Sequence, residues 1–266
     1  MKLFLKIKFG LLVLFVLSLN VFAQNNQQIE NELVGAIKEV QKYSTYGGNY
    51  DEDKLYKAND LFEEKLLKHT KNAAALKYNF PKLGDLIFIT TSEDGRFRIY
   101  SWDLETGGTM HDYSRVYQYQ ADDGKIYSQT DKKESVEDGG AGSYVYSIFP
   151  VNVNSAKVYV VCTTFIGSTS DHYGAANLYK IEGSELIDKV KLFKTKEGLT
   201  DSINFEYDFF SVVNRKERPL KLIQFDKATQ TIKIPIVIQD KKSPLGRVTD
   251  KFINYKYDGN YFVRIN

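Results

Sequence analysis

Residues 95–120 read GRFRIYSWDLETGGTMHDYSRVYQYQ: two strand-like runs joined by a glycine-bearing connector, with the chain's single tryptophan, Trp102, at the end of the first. Side chains two apart on a strand share a face. In the first run this places Phe97, Ile99 and Ser101 on one side and Arg96, Arg98, Tyr100 and Trp102 on the other. In the second, Tyr113, Arg115, Tyr117 and Tyr119 alternate with Ser114, Val116, Gln118 and Gln120. If the runs pair as a hairpin with their ring-and-cation sides together, they form one aromatic, basic surface. The loop above it carries Asp103, Glu105, Thr106, Gly107, Gly108, Thr109 and His111. Such a surface suits a sugar ring or an anionic group. The candidate ligand-binding residues are therefore Arg96, Arg98, Tyr100, Trp102, Asp103, His111, Tyr113, Arg115 and Tyr117. The competing expectation is that the rings pack under a neighbouring layer while the arginines snorkel or make cross-strand pairs.

The same alternation extends through the C-terminal two thirds of the chain. Short runs rich in β-branched and aromatic residues recur from Leu86 to Ile265, separated by Gly, Asp and Asn, as strands separated by turns do. Asp94-Gly95, Asp123-Gly124, Glu182-Gly183 and Asp258-Gly259 fall between runs, where tight hairpins need residues that tolerate positive φ. Most neighbouring strands should then be antiparallel, and the absence of interleaved helices argues against a parallel βαβ layout. The hairpins have no fixed period. About 180 residues would supply only about four propeller blades, so a sandwich or open barrel is preferred. Pro235, inside the run Ile232 to Ile238, marks an edge or a bulge because proline cannot donate to a ladder.

Upstream the period changes to that of a helix. Ile29, Leu33, Ile37 and Val40 form one stripe, stopped by Gly47-Gly48; Leu55, Ala58, Phe62 and Leu66 form another, beginning at an Asp51 cap. Ala73 to Leu76 extends the second helix and Pro81 ends it, giving a helical hairpin that docks on the β domain. Residues 1–23 combine Lys2, Lys6 and Lys8, an apolar run from Phe9 to Leu19 and a cut site after Ala23, the pattern of a secretory signal. The run is shorter than the roughly 20 residues of a membrane-spanning helix. The expected organisation is a signal over 1–23, a helical segment over 24–82 and an antiparallel β domain over 83–266. The protein is expected to be periplasmic or secreted, with no stable membrane span after cleavage.

Charge and motifs bound the chemistry. Lys+Arg number 36 and Asp+Glu 34, for a formal net charge of +2. No basic stripe stands out, which argues against nucleic acid as a partner. Cys162 is the single cysteine; it follows Tyr159-Val160-Val161 and reads as a buried, inert thiol. The loop Glu137 to Gly142, with Glu134 upstream, lacks the alternating carboxylates of a calcium loop and reads as a flexible connection. Gly167 to Gly174 brings Ser168, Asp171 and His172 together in sequence, but without a nucleophile elbow, an HExxH or a CxxC it reads as a polar turn. His69 ends an apolar stripe and reads as a packing or surface residue. No cofactor and no metal is implied.

Two function classes follow. The preferred one is a non-enzymatic extracytoplasmic binding or interaction module for a carbohydrate, a peptide or an envelope protein. The alternative is a small hydrolase or metal-binding enzyme in which His111 and His172 meet, with Asp112 and Asp171 beside them.

Overall fold

The computed structural model describes residues 25–131, 142–154 and 156–265. The expected export segment and nearly all of the acidic glycine-rich loop lie outside them. Helix α1 covers residues 25–42, followed by α2 (Glu52–Thr70), α3 (Ala73–Lys77) and α4 (Pro81–Gly84). The strands are β1 (Phe88–Thr91), β2 (Phe97–Asp103), β3 (Tyr113–Gln120), β4 (Ile126–Thr130), β5 (Tyr144–Val153), β6 (Ala156–Ile166), β7 (Asp171–Glu182) and β8 (Glu185–Ile187). They continue as β9 (Phe193–Lys194), β10 (Leu199–Thr200), β11 (Ser202–Asp208), β12 (Gln224–Asp226), β13 (Thr231–Asp240), β14 (Ser243–Tyr257) and β15 (Phe262–Arg264). No helix among the described residues is long and apolar enough to cross a membrane.

Asp51 caps α2, its carboxylate accepting from the Lys54 amide at 3.1 Å. The helical run does not continue unbroken through Ala73: Asn72 interrupts it and caps α3 through the Ala75 amide at 2.8 Å. Nor does Pro81 end a helix; it opens α4, where its missing N–H is no loss. The buried carboxylate of Glu30, on α1, accepts from the amides of Lys82 and Leu83 at 2.7 and 3.2 Å and so caps α4. His69 closes the α1–α2 pair, its Nε2 lying 2.9 Å from Glu32.

The strands form three sheets ordered β1-β2-β3-β4, β11-β7-β6-β5 with β8 beside β7, and β10-β9-β15-β14-β13-β12. All pairings are antiparallel except that of β15 with β9, and the sandwich-like, mainly β body expected from the alternation is observed. The cores show that the layers stack as helices, first sheet, second sheet, third sheet. Tyr100, Trp102 and Val116 pack with the helices. Phe97, Ile99, Tyr117 and Tyr119 pack with Val145, Ile148, Tyr159 and Val161 of the middle sheet. Val158, Val160 and Cys162 pack on the other side with Phe193, Ile232, Ile234 and Tyr255 of the third. With both faces of β6 covered, its sequence is a continuous apolar run, and Cys162 is buried, its thiol pushed up by desolvation.

Gly95, Gly124, Gly183 and Gly259 take φ of 69°, 81°, 60° and 108° in the four turns read from sequence. The ladder between β13 and β14 slips between Pro235 and Val237, so Pro235 marks a bulge, and it lies past Lys233, where the pairing with β12 ends.

Candidate functional site

Pairing of β2 with β3 decides where the candidate residues go. Asp103 faces Tyr113, Trp102 faces Ser114, Tyr100 faces Val116 and Arg98 faces Gln118. The two ring-and-cation sets therefore lie on opposite faces of the hairpin, and the single aromatic, basic surface expected from alternation does not form. Both faces are also covered. Trp102 is 1% exposed and Tyr100 0%. The indole N–H donates to Asn59 of α2 at 3.0 Å, and the ring meets Phe62 edge-on at 5.1 Å. Arg98 is 4% exposed. Its Nη1 donates to the Ala75 and Tyr78 carbonyls at 3.0 and 2.6 Å, and its Nε to Thr91 Oγ1 at 2.6 Å. The guanidinium thus binds the C-terminal end of α3, where the Ala75 carbonyl otherwise takes only the Tyr78 amide at 3.3 Å. On the opposite face, Arg115 Nε donates to Asp131 at 2.9 Å and the Tyr117 hydroxyl to the same carboxylate. These residues hold the layers together. The outward, ligand-receiving role expected of Arg98, Tyr100, Trp102 and Tyr117 is corrected by the helices and the second sheet that cover them.

The other candidates separate to the two ends of the hairpin. Arg96, at its start, donates to Asp122 at 3.2 Å and borders a polar cavity of about 450 Å³ with Asn152, Asn154 and Lys180. At the opposite end, Asp103, His111 and Tyr113 come together, and this cluster is the candidate site. Its loop is closed by Leu104 donating to the Asp112 carbonyl at 2.8 Å. Asp103 works through both oxygens. Oδ1 accepts from the Glu105 amide at 2.8 Å, holding Glu105 at φ 61°, and Oδ2 engages His111 Nδ1. Among the described residues, His111 Nε2 has no hydrogen-bond partner, and the imidazole side chain is 30% exposed.

The turn between α1 and α2 completes the cluster. Thr45 donates its amide to the Glu105 carbonyl at 3.0 Å, and Ser44 donates to the Glu105 carboxylate at 2.6 Å. These ties bring Tyr46 over the imidazole, with centroids 5.2 Å apart and its hydroxyl 3.2 Å from Nδ1. The Tyr46 ring remains 45% exposed, beside exposed Met110. Burial, then the charges of Asp103 and Glu105, push the Tyr46 phenol up to about 12. Burial likewise raises the Glu105 carboxyl. Tyr113 stacks on His111 at 6.3 Å. Sequence reasoning missed Tyr46; its one signal was a tyrosine abutting Gly47-Gly48 in a turn between helices.

The loop leans on the middle sheet, because the His111 amide donates to the Ile166 carbonyl at 3.0 Å and Ile166 pairs with His172. The two histidines therefore lie at the same end of the molecule, but in different settings. His172 is 8% exposed, stacks on Phe209 at 4.8 Å and meets Tyr207 edge-on. Desolvation lowers its pKa, opposed by Asp171, and the nearby His111 lowers it further. No hydrogen bond joins the imidazoles, and no group of three or more metal-binding side chains occurs among the described residues. The Gly167–Gly174 stretch is more ordered than a polar turn: from Asp171 it is strand β7, with the Tyr173 hydroxyl on Asp171 at 3.0 Å. The chain matches no known protein family, no curated protein and no solved structure.

Proposed function

We propose that the protein is an exported, non-enzymatic binding module that receives a carbohydrate at the loop end of the β2–β3 hairpin. The observation that carries this reading is the exposed Tyr46 ring, tilted against His111 at 5.2 Å and flanked by the Asp103 and Glu105 carboxylates. A flat ring face beside fixed acceptors matches a sugar, whose C–H face stacks on the ring while its hydroxyls donate to carboxylates. The signal-like residues 1–23 supply the reason to place the module outside the cytoplasm.

Calorimetric titration with a panel of neutral and amino-sugar oligosaccharides tests the reading. Saturable binding is expected, weakened about tenfold or more in Tyr46→Ala and Asp103→Asn, a loss of about 1.4 kcal/mol. Absence of binding up to about 10 mM, or equal binding by both variants, overturns it.

A second reading rests on Asp103 holding His111 Nδ1 while the half-buried imidazole keeps an Nε2 without a hydrogen-bond partner among the described residues, the arrangement of an oriented general base. Hydrolysis of glycosides or esters that disappears in His111→Ala would favour it.

A further inference from the structure

The C-terminal sheet carries two adjoining concavities away from the loop-end site. The first, about 470 Å³, is lined by Lys233, Ile236, Lys251, Phe252, Asn254 and Arg264, with no carboxylate among them. The second, about 730 Å³, also borders Arg264 and adds Lys194, Lys196, Val263 and a single acid, Glu197. Strand register explains the first. Lys233 faces Asn254 and Pro235 faces Phe252, while the alternate residues Ile232, Ile234 and Tyr255 turn into the core. The polar side of the β13–β14 ladder is thus the outer one.

Among the described residues, the lysines here outnumber the carboxylates that reach them. Lys233 approaches Asp226 only at 4.0 Å. Lys194 lies over the Tyr261 ring at 6.0 Å and acts on Asp258. Glu197 is engaged chiefly by its own turn, through its backbone and Thr195, with Lys196 a smaller influence. On a chain whose charges nearly balance, 36 against 34, this is a local excess of positive charge over an apolar floor. We infer that the two concavities bind an acidic glycan. Its carboxylates set against Lys233, Lys251, Lys194 and Lys196, and its ring faces against Phe252 and Val263. The division into hollows fits a chain of rings, whereas a lipid surface calls for one flat or convex basic face and single-stranded nucleic acid for exposed stacking platforms.

Calorimetry with oligogalacturonate, at low and high salt, is the test. Saturable, salt-sensitive binding is expected. It should be lost when the galacturonate carboxylates are methyl-esterified and weakened about tenfold in Lys233→Gln/Lys251→Gln, lysines away from Tyr46, which separates this site from the loop end. The double variant should unfold at the wild-type temperature. No saturable binding overturns the inference, as does equal binding by the double variant. Tighter binding to inorganic phosphate, anionic lipid vesicles or single-stranded DNA than to oligogalacturonate overturns it too.

Discussion

Replacing Arg98 by methionine should be among the most damaging changes to the fold. The guanidinium is buried with no carboxylate beside it among the described residues; its bonds run to the Ala75 and Tyr78 carbonyls, Thr91 Oγ1 and, at 3.4 Å, the Tyr100 hydroxyl. Methionine retains most of the stem's apolar packing but leaves the Tyr78 carbonyl without its guanidinium donor and the Ala75 carbonyl with only the Tyr78 amide at 3.3 Å. An acceptor left unsatisfied costs about 1–3 kcal/mol and the lost bonds to Ala75 and Thr91 about 1 kcal/mol each, so Arg98→Met should lose about 3–5 kcal/mol. For a chain of this size that lowers the melting temperature by about 10 °C. Arg98→Lys keeps the charge, but one ammonium cannot reach both Thr91 and the carbonyls, and it should fall between the two. Urea unfolding followed by circular dichroism, with unchanged m-values, gives the numbers. A methionine variant within about 1 kcal/mol of wild type would refute the reasoning and show that α3 is not held through Arg98.

Two other predictions concern the loop end. A Cβ on Gly107 would sit 1.9 Å from the Met110 carbonyl oxygen, whereas one on Gly108 meets nothing within 4 Å. Gly107→Ala should therefore cost about 1–3 kcal/mol and speed hydrogen exchange at the His111 amide, with Gly108→Ala as the near-neutral control; equal behaviour of the pair would contradict the loop geometry. His172 has a lowered folded-state pKa, so the unfolded chain binds its proton first. Its contribution to stability is complete above about pH 6.5 and is lost as pH falls from there through the folded value. An NMR titration of the His172 ring should give a midpoint below about 6.5; a midpoint at or above that value would count against the buried placement.

Much of the fold could be read from the chain because its signals are local. The glycines at 95, 124, 183 and 259 mark turns since their φ values demand them, and β3 begins and ends where its alternation does. The site was harder, and the reason lies in strand pairing. Alternation groups Arg98, Tyr100 and Trp102 on one side, but not which residues of β3 join them. That is set by the closing pair Asp103–Tyr113, which matches even-numbered positions with even and so sends the Tyr113–Tyr119 set to the opposite face. Nor does alternation say what covers a face. The apolar stripe of Leu55, Ala58 and Phe62 announced a helix needing a partner, and Trp102 and Tyr100 are part of that partner. Asp103 and His111 were recognisable because His111, one of three histidines, sits in the connector that Asp103 opens. Tyr46 was not, because its place beside His111 arises from backbone ties between turns 60 residues apart in sequence, Thr45 to Glu105.

The account rests on the helices covering the β2–β3 hairpin. The single tryptophan reports on this directly: Trp102 is 1% exposed, with its N–H on Asn59 and its ring against Phe62. Acrylamide quenching of the native protein's fluorescence should be weak, with a short-wavelength emission maximum that shifts to the red on unfolding. Free quenching and a water-like emission maximum in the native state would contradict it.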